Sequence, residues 1–349
     1  MSSRSVLGLV YTLQGLEAIG EDCSPVLEKY GLDPQRLDPT AEIERSRELQ
    51  ILSELVEHLQ DPLAGLKAGA HFSLAGYGPF SMLLMTCKNA WQALHVALRY
   101  RELTYLFSEL SLEPGEHTSA VVLTPPVLPA HILRFRVDGE VSGTFQLMRD
   151  MQANLGTDLL PERIDIPYET PPEATAYREH FGCPVEFDTD RARIHLRNEH
   201  LQLPFPTAND TAHRMYRAQC DQLLARRETS EAGLTERVRH YLEMFQDEYP
   251  PAAQVAATFG IAERSFRRQL NREGSSFRKL LNEVRLRKAQ QYLENTSMPV
   301  EQIAERLGYE ESAAFIHAFR RWAGTTPARW RRQQCAEEEP GRTMNAAKR

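Results

Sequence analysis

The chain has 349 residues, enough for two or three domains, and its 42% hydrophobic content is ordinary for a soluble globular protein. The net charge of −7, taken alone, argues against a nucleic-acid binder. Five cysteines (Cys23, Cys87, Cys183, Cys220 and Cys335) lie far apart, odd in number and without a CxxC pair, which argues against a disulfide framework or a zinc site and for a reduced, cytoplasmic setting.

No basic–apolar–small signal peptide opens the chain. Leu7, Val10, Leu13 and Leu16 recur at helical spacing and predict a helix over Val6–Ile19; a second, Pro25–Tyr30, closes at Gly31. Leu49, Leu52, Leu55, Val56 and Leu59 predict an amphipathic helix over Arg47–Leu59, and Asp61-Pro62 opens a short one to Ala70. Residues 68–87 carry no Asp, Glu, Lys or Arg, a length that spans a bilayer, but Gly69, Gly76, Gly78 and Pro79 favour a buried, irregular segment. A long helix is predicted over Asn89–Phe107, with Trp91, Leu94, Ala97, Leu98 and Leu103 as its stripe.

The pattern then changes. Ser108–Leu112, Ser119–Thr124, Arg163–Ile166, Pro184–Phe187 and Arg193–Leu196 read as strands, with helices over Val137–Leu155 and Glu173–Phe181. Pro204 and Pro206 mark a boundary before a helix over Thr207–Arg227 and a polar linker, Glu228–Glu231. Leu234–Tyr249 reads as a further helix, and residues 335–349 as a disordered tail. The class is α+β: a mixed helical and small-sheet domain over 1–205, a connecting helix and linker over 206–231, and an all-α domain over 232–334.

That last domain contains one pattern twice. Val255-Ala256, Phe259-Gly260-Ile261, Phe266 and Leu270 return as Ile303-Ala304, Leu307-Gly308-Tyr309, Phe315 and Phe319, with one residue inserted at Glu310-Glu311. Each copy reads as a helix-turn-helix whose glycine supplies the positive φ of the turn. Arg264, Arg267, Arg268 and Asn271 fall on one outward face of the second helix of the first copy, where arginine forks suit guanine edges and phosphates. The equivalent face of the second copy carries Ala313, Ile316, His317 and Arg320, with Arg321 beside them. On an ordinary helix pair such faces would be solvated charge; two in tandem point to DNA. The helix between the copies, Phe277–Asn295, is capped by Ser276 and spans roughly 30 Å, close to the ~34 Å of one duplex turn. Ala252–Arg332 holds 15 basic and 8 acidic residues, a net +7, leaving −14 on the remainder. A basic module on an acidic body is an electrostatic footprint of local DNA binding.

Residues 232–333 resemble the DNA-binding domain of the AraC/XylS family of bacterial transcription regulators. The resemblance rests on both copies, on Phe277-Arg278-Lys279-Leu280-Leu281 with Arg285-Leu286 and Ala289, and on the run from Ile303 through Phe319-Arg320-Arg321-Trp322, Gly324, Pro327 and Trp330-Arg331. It implies that Arg264, Arg267 and Arg268 read bases in one groove, and Ser312, Ile316 and His317 in the next. Ala262 departs from the usual Ser or Thr cap, a loss of about 1 kcal/mol at that helix start, and the two glutamates of the second turn oppose phosphate approach. Gly76-Tyr77-Gly78, Ala93-Leu94, Arg99-Tyr100 and Phe181-Gly182-Cys183-Pro184-Val185 make residues 1–205 similar to the amino-terminal effector domain of one large subfamily. This implies a small-molecule effector of unspecified identity, homodimerisation and, as for most relatives, activation through RNA polymerase.

Other chemistry is set aside. No phosphate loop, dinucleotide turn or nucleophile elbow is present, so neither catalytic residues nor a cofactor is expected. Gly65, Gly69, Gly76 and Gly78 suit tight packing better than phosphate binding. His195 and His200 lack a metal spacing and read as surface residues. Arg134 and Arg136 read as solvated or salt-bridged rather than effector-binding, His71 and Tyr77 as packed, and Trp322 and Trp330 as core. The expectation is a cytoplasmic one-component transcription regulator. The alternatives are a ligand-independent regulator, whose first domain only dimerises or receives a partner, and an enzyme fused to a DNA-binding domain.

Overall fold

The computed structural model describes residues 3–33, 37–38, 41–227 and 233–338. The chain divides into two compact units, Met1–Glu231 and Ala232–Arg349. The polar linker expected at Glu228–Glu231 lies outside the described residues, as does the chain after Glu338.

The amino-terminal unit runs β1 (Ser3–Ser5), α1 (Leu7–Ala18), α2 (Ser24–Lys29), β2 (Glu42–Glu44), α3 (Arg45–His58), α4 (Ala64–Gly69), α5 (Pro79–Met85) and α6 (Ala90–Arg99). Then come β3 (Glu109–Glu113), β4 (Thr118–Thr124), α7 (Ala130–Leu155), β5 (Arg163–Asp165), α8 (Ala174–Phe181), β6 (Val185–Glu186), β7 (Ala192–Arg197), α9 (Asn198–Leu201) and α10 (Asp210–Arg227). The sheet has the order β3-β4-β7-β5-β6, antiparallel except for the β5–β6 pair. Strand alternation puts Ala192, Ile194 and Leu196 in the core with Val121, Leu123 and Ile164, leaving Arg193, His195 and Arg197 on the other face.

Helix α7 is buried on every side from Phe135 to Gly143. Glycine makes its contact with α4 possible: a Cβ on Gly65 would sit 2.5 Å from the Phe135 carbonyl, and one on Gly69 2.5 Å from the Gly139 carbonyl. These glycines serve backbone-to-backbone packing.

Several elements differ from the sequence reading. The uncharged stretch 68–87 is regular: a 3-10 turn at Leu74–Tyr77, then α5, which starts at Pro79 because Gly78 adopts φ +55°. The helix expected over 89–107 stops at Arg99. Beyond it the chain makes a 3-10 turn at Arg101–Leu103, and Tyr100 and Leu103 to Phe107 are all buried. Helix α7 begins seven residues before Val137, after Pro129. The strands β1 and β2 pair with each other and are absent from the sequence reading. His71 is exposed rather than packed, whereas Tyr77 stacks on Tyr105 with ring centroids 4.2 Å apart.

Arg136 is not solvated: it is 3% exposed and paired with Glu140. It belongs to a buried ionic layer around Phe107. The Arg4 guanidinium lies 3.8 Å from that ring's centroid and Arg136 4.5 Å. Arg4 donates to both carboxylate oxygens of Glu48, at 2.6 and 2.7 Å. Glu140 accepts from the Phe107 and Ser108 amides at 2.8 and 3.1 Å. Burial, reinforced by the neighbouring Arg4 charge, lowers Arg45 to about 10. Arg134 joins a second network: buried Asp138 accepts from Tyr168 and from Tyr177 (2.7 Å), and Arg134 bonds Glu173 at 3.1 Å. Burial lifts Asp138 to about 6, against the two phenols and the Arg134 charge.

The carboxy-terminal unit is all helix: α11 (Leu234–Glu243), α12 (Ala252–Thr258), α13 (Glu263–Arg272), α14 (Phe277–Asn295), α15 (Val300–Arg306), α16 (Ser312–Ala323) and α17 (Pro327–Glu338). Helix α11 ends six residues before Tyr249 because Met244 and Phe245 turn into the core, where Phe245 meets Tyr241 edge-on. Helix α17 extends to Glu338, past the start of the expected tail. Gly233 gives α11 no side-chain cap; the carboxylate of Glu273 supplies it instead, accepting from the Leu234 and Thr235 amides at 3.1 and 2.7 Å. Partial burial pushes the Glu273 carboxyl up, but the amide donors outweigh it and hold the group below its ordinary 4.5.

Two outcomes follow. Glu48→Ala strands a buried guanidinium and should cost the amino-terminal unit about 3–5 kcal/mol in urea unfolding, whereas Arg4→Met with Glu48→Leu should recover most of that. Glu273→Gln should destabilise the carboxy-terminal unit at neutral pH by no more than about 1 kcal/mol, since the carboxylate is solvated. A depressed carboxylate contributes stability above its unfolded pKa and loses it as pH falls through the folded one, so the gap between wild type and variant should close below the ordinary carboxylate range.

Candidate nucleic-acid interface

The repeated sequence folds into the same turn twice. In the first copy the Gly260 and Ile261 amides donate to the Ala257 and Ala256 carbonyls, both at 2.9 Å. In the second, Gly308 and Tyr309 donate to Glu305 and Ala304, at 2.8 and 3.0 Å. This pair of hydrogen bonds closes a helix through a left-handed residue, and the glycines have φ +67° and +70°. At Gly308 the requirement is also steric: a Cβ would sit 2.4 Å from the Asp247 carbonyl oxygen. Beneath the turns Val255, Ala256, Ile303 and Ala304 are fully buried, as are the inward residues Phe266, Leu270, Phe315 and Phe319 of the second helices.

With those four residues as anchors, the opposite faces point out. Arg264, Arg267, Arg268 and Asn271 on α13 are all exposed. Arg267 is not a free fork: its Nε and Nη2 both donate to Oε1 of Glu263, one turn earlier, at 2.9 and 2.6 Å. On α16, Ala313, His317, Arg320 and Arg321 are exposed, and Ser312 is half-buried. Ile316 differs from its expected outward position, being half-buried against the core of Phe315, Phe319, Ile303 and Leu307. Neither α13 nor α16 has a side-chain cap; Ala262 and Glu311 occupy the cap positions.

Helix α14 holds the two halves in register. Its first half buries Leu280 and Val284, and its second contributes Ala289 and Leu293 to the core of the second copy. At 1.5 Å per residue its 19 residues span about 28 Å. Ser276 caps it by accepting from the Lys279 amide at 3.3 Å, and Arg331 of α17 donates to the Leu293 carbonyl at 3.3 Å. The Arg285 guanidinium lies 5.0 Å from the Tyr249 ring centroid and 4.7 Å from that of Tyr309. On the α11 side, Glu283 meets Arg239 at 3.6 Å and Arg287 pairs with Glu243.

Between α14 and α16 lies a groove of about 430 Å³ whose lining includes Arg278, Asn282, Arg285, His317, Arg321 and Trp322. Trp322 is half-buried along this groove and outside the core cluster, contrary to the sequence reading; Trp330 does pack there, edge-on to Phe319. Glu263 is a site residue absent from the expected set, although a Glu four residues before an Arg is the spacing of an intrahelical ion pair.

The histidine candidates belong to the amino-terminal unit. His195 is partnered rather than isolated, with Nε2 2.8 Å from Asp165, and Nδ1 of His200 lies 3.4 Å from Asp158. Among the described residues no group of three His, Cys, Asp or Glu could hold a metal ion, and no helix is long and apolar enough to cross a membrane.

Residues 20–205, more than half of the chain, match the model of the arabinose-binding domain of AraC transcription regulator, and residues 255–333 match a helix-turn-helix domain. The chain is 30% identical over 273 residues to the ornithine utilization regulator of Pseudomonas aeruginosa, covering 78% of this chain and 79% of that one. It is 29% identical over 320 residues to an HTH-type transcriptional regulator of Mycobacterium tuberculosis, covering 90% and 92%. Among solved structures it is similar to the transcriptional regulator CdpR of Pseudomonas aeruginosa, at 26% identity and a TM-score of 0.46 over 89% of this chain and 96% of that one. An arabinose-regulator-type domain followed by two glycine-turned helix pairs on one linker helix places the chain in the AraC-type family of DNA-binding transcription regulators.

Proposed function

We propose that residues 232–334 read a bipartite, asymmetric site in two successive major grooves of double-stranded DNA. Helix α13 enters one groove with Arg264, Arg267, Arg268 and Asn271. Helix α16 enters the next with Ser312, Ala313, His317, Arg320 and Arg321, and with the exposed edge of Ile316. The observation that carries this reading is the exposed arginine face of α13, opposite buried Phe266 and Leu270, on a unit whose α14 rod of about 28 Å nearly matches the ~34 Å of one duplex turn. Arginine forks on guanine edges supply discrimination, and the arginines at the end of α16 suit phosphates.

On the same reading the amino-terminal domain, residues 1–205, binds a small-molecule effector and dimerises, and the protein activates transcription in the cytoplasm through RNA polymerase. The match of that domain to an effector-binding family model supports the effector.

Selection of genomic fragments by the full-length protein at near-physiological salt should enrich sites with two blocks about 10 base pairs apart. Arg268→Ala should then lose about 1–3 kcal/mol of affinity, concentrated at a few base positions; equal binding of every sequence by variant and wild type would reject α13 as a reading helix. A metabolite library, with ornithine tried first because one relative is named for its utilization, should contain a compound that raises the unfolding midpoint. A ligand at 100 times its Kd adds about 2.7 kcal/mol. A library without effect would assign the first domain to dimerisation or partner docking alone.

A further inference from the structure

The Glu263–Arg267 pair sits at the leading end of α13, with Glu263 as the first helical residue. Both side chains are well exposed, at 43% and 58%. Such a solvated pair adds little to stability, so its geometry matters more than its energy. Both Arg267 donors converge on Oε1 of Glu263, while Oε2 accepts no hydrogen bond from any described residue. The fork of Arg267 is thereby folded back along the helix, and a carboxylate oxygen is left facing solvent on the first turn of the reading helix. An unprotonated carboxylate only accepts hydrogen bonds. In a major groove it can therefore engage only an exocyclic amino group, cytosine N4 being the usual partner, and it is repelled by phosphates and by the guanine O6 and N7 acceptors.

We infer that Glu263 is a specificity-determining residue of the first half-site: it accepts from a cytosine amino group and holds Arg267 off the phosphate backbone, beside the same base step. The inference rests on α13 being a reading helix. It explains why an acidic residue stands at the leading end of an otherwise basic face, where it weakens binding to DNA of arbitrary sequence.

The test is selection from a randomised duplex pool by full-length wild type, Glu263→Ala, Glu263→Gln and, as a control, Arg268→Ala, with affinities followed across about 50 to 200 mM salt. Wild type should prefer cytosine at one position by about tenfold. Glu263→Ala should erase that preference, tighten binding to unrelated DNA and steepen the salt dependence by about one counterion, as Arg267 turns to a phosphate. Glu263→Gln should move the preference towards adenine, since an amide can both accept from N6 and donate to N7. If Arg268→Ala relaxes the motif while both Glu263 variants select the wild-type motif, the inference fails and the reading helix stands. A steeper salt dependence with an unchanged motif also overturns it, leaving Glu263 a purely electrostatic role. If Arg268→Ala too leaves the motif unchanged, α13 does not read bases, and the inference falls with that assignment.

Discussion

The geometry of the carboxy-terminal unit depends on one helix belonging to two cores. Leu280 and Val284 are buried in the first half of α14, and Ala289 and Leu293 join the second helix-turn-helix. Each fully buried leucine contributes roughly 1.5–3 kcal/mol, so neither half can leave the rod cheaply. The ion pairs along it do something different. Glu283 and its partner Arg239 are 41% and 22% exposed, and solvated pairs of this kind are worth little; Arg287 is 57% exposed but its partner Glu243 only 9%. Arg285, between the rings of Tyr249 and Tyr309, joins the segment after α11 to the turn of the second copy. Apolar burial thus makes the rod stable, while directional contacts fix its rotation, and rotation decides which faces of α13 and α16 point the same way.

The amino-terminal unit handles charge in the opposite manner. Arg4, Arg136, Glu48 and Glu140 are almost wholly buried around Phe107. Burying ions costs more than their attraction returns unless the remaining donors and acceptors are met. Here the Phe107 and Ser108 amides complete Glu140, and Arg4 meets both oxygens of Glu48, whereas the buried Arg4 Nη1 and Arg136 Nε have no hydrogen-bond partner among the described residues, both guanidinium groups lying over the Phe107 ring. The layer joins β1, α3, α7 and the segment before β3, so its directional bonds tie together elements far apart in sequence that apolar packing alone would leave free to slide.

Legibility followed the range of the interactions. The two turns, their glycines and the α14 cap could be read because each is set within a few residues: Gly260 and Gly308 donate to carbonyls three positions back, and Ile261 and Tyr309 to carbonyls five positions back. The α+β class was legible from strand alternation such as Ala192, Ile194 and Leu196. Elements set by distant contacts were not. The strands β1 and β2 are three residues each and exist through their mutual pairing. The helix expected over 89–107 gives way to a 3-10 turn at Arg101–Leu103 and a segment whose amides at Phe107 and Ser108 bond Glu140, more than 30 positions away. The Glu273 cap of α11 spans 39 positions and leaves no local pattern. At the interface the arginine face of α13 was evident from spacing, but the half-burial of Ile316 and the position of Trp322 beside α14 depend on how α16 seats against its neighbours.

That seating makes the two halves unequal. The outward face of α13 carries three arginines and an asparagine, whereas α16 offers Ala313 in its first turn and His317 at its middle and places Arg320 and Arg321 in its last turn. Donor forks discriminate bases strongly; a methyl group and an imidazole do so weakly, and arginines at a helix end meet backbone more readily than base edges. On the proposed reading, the first half-site carries most of the sequence information, and the second mainly adds affinity and fixes orientation. The rod then has a thermodynamic role beyond spacing. A weakly specific second helix contributes only if it is delivered to its groove without further ordering cost, and the shared core of α14 supplies that preorganisation.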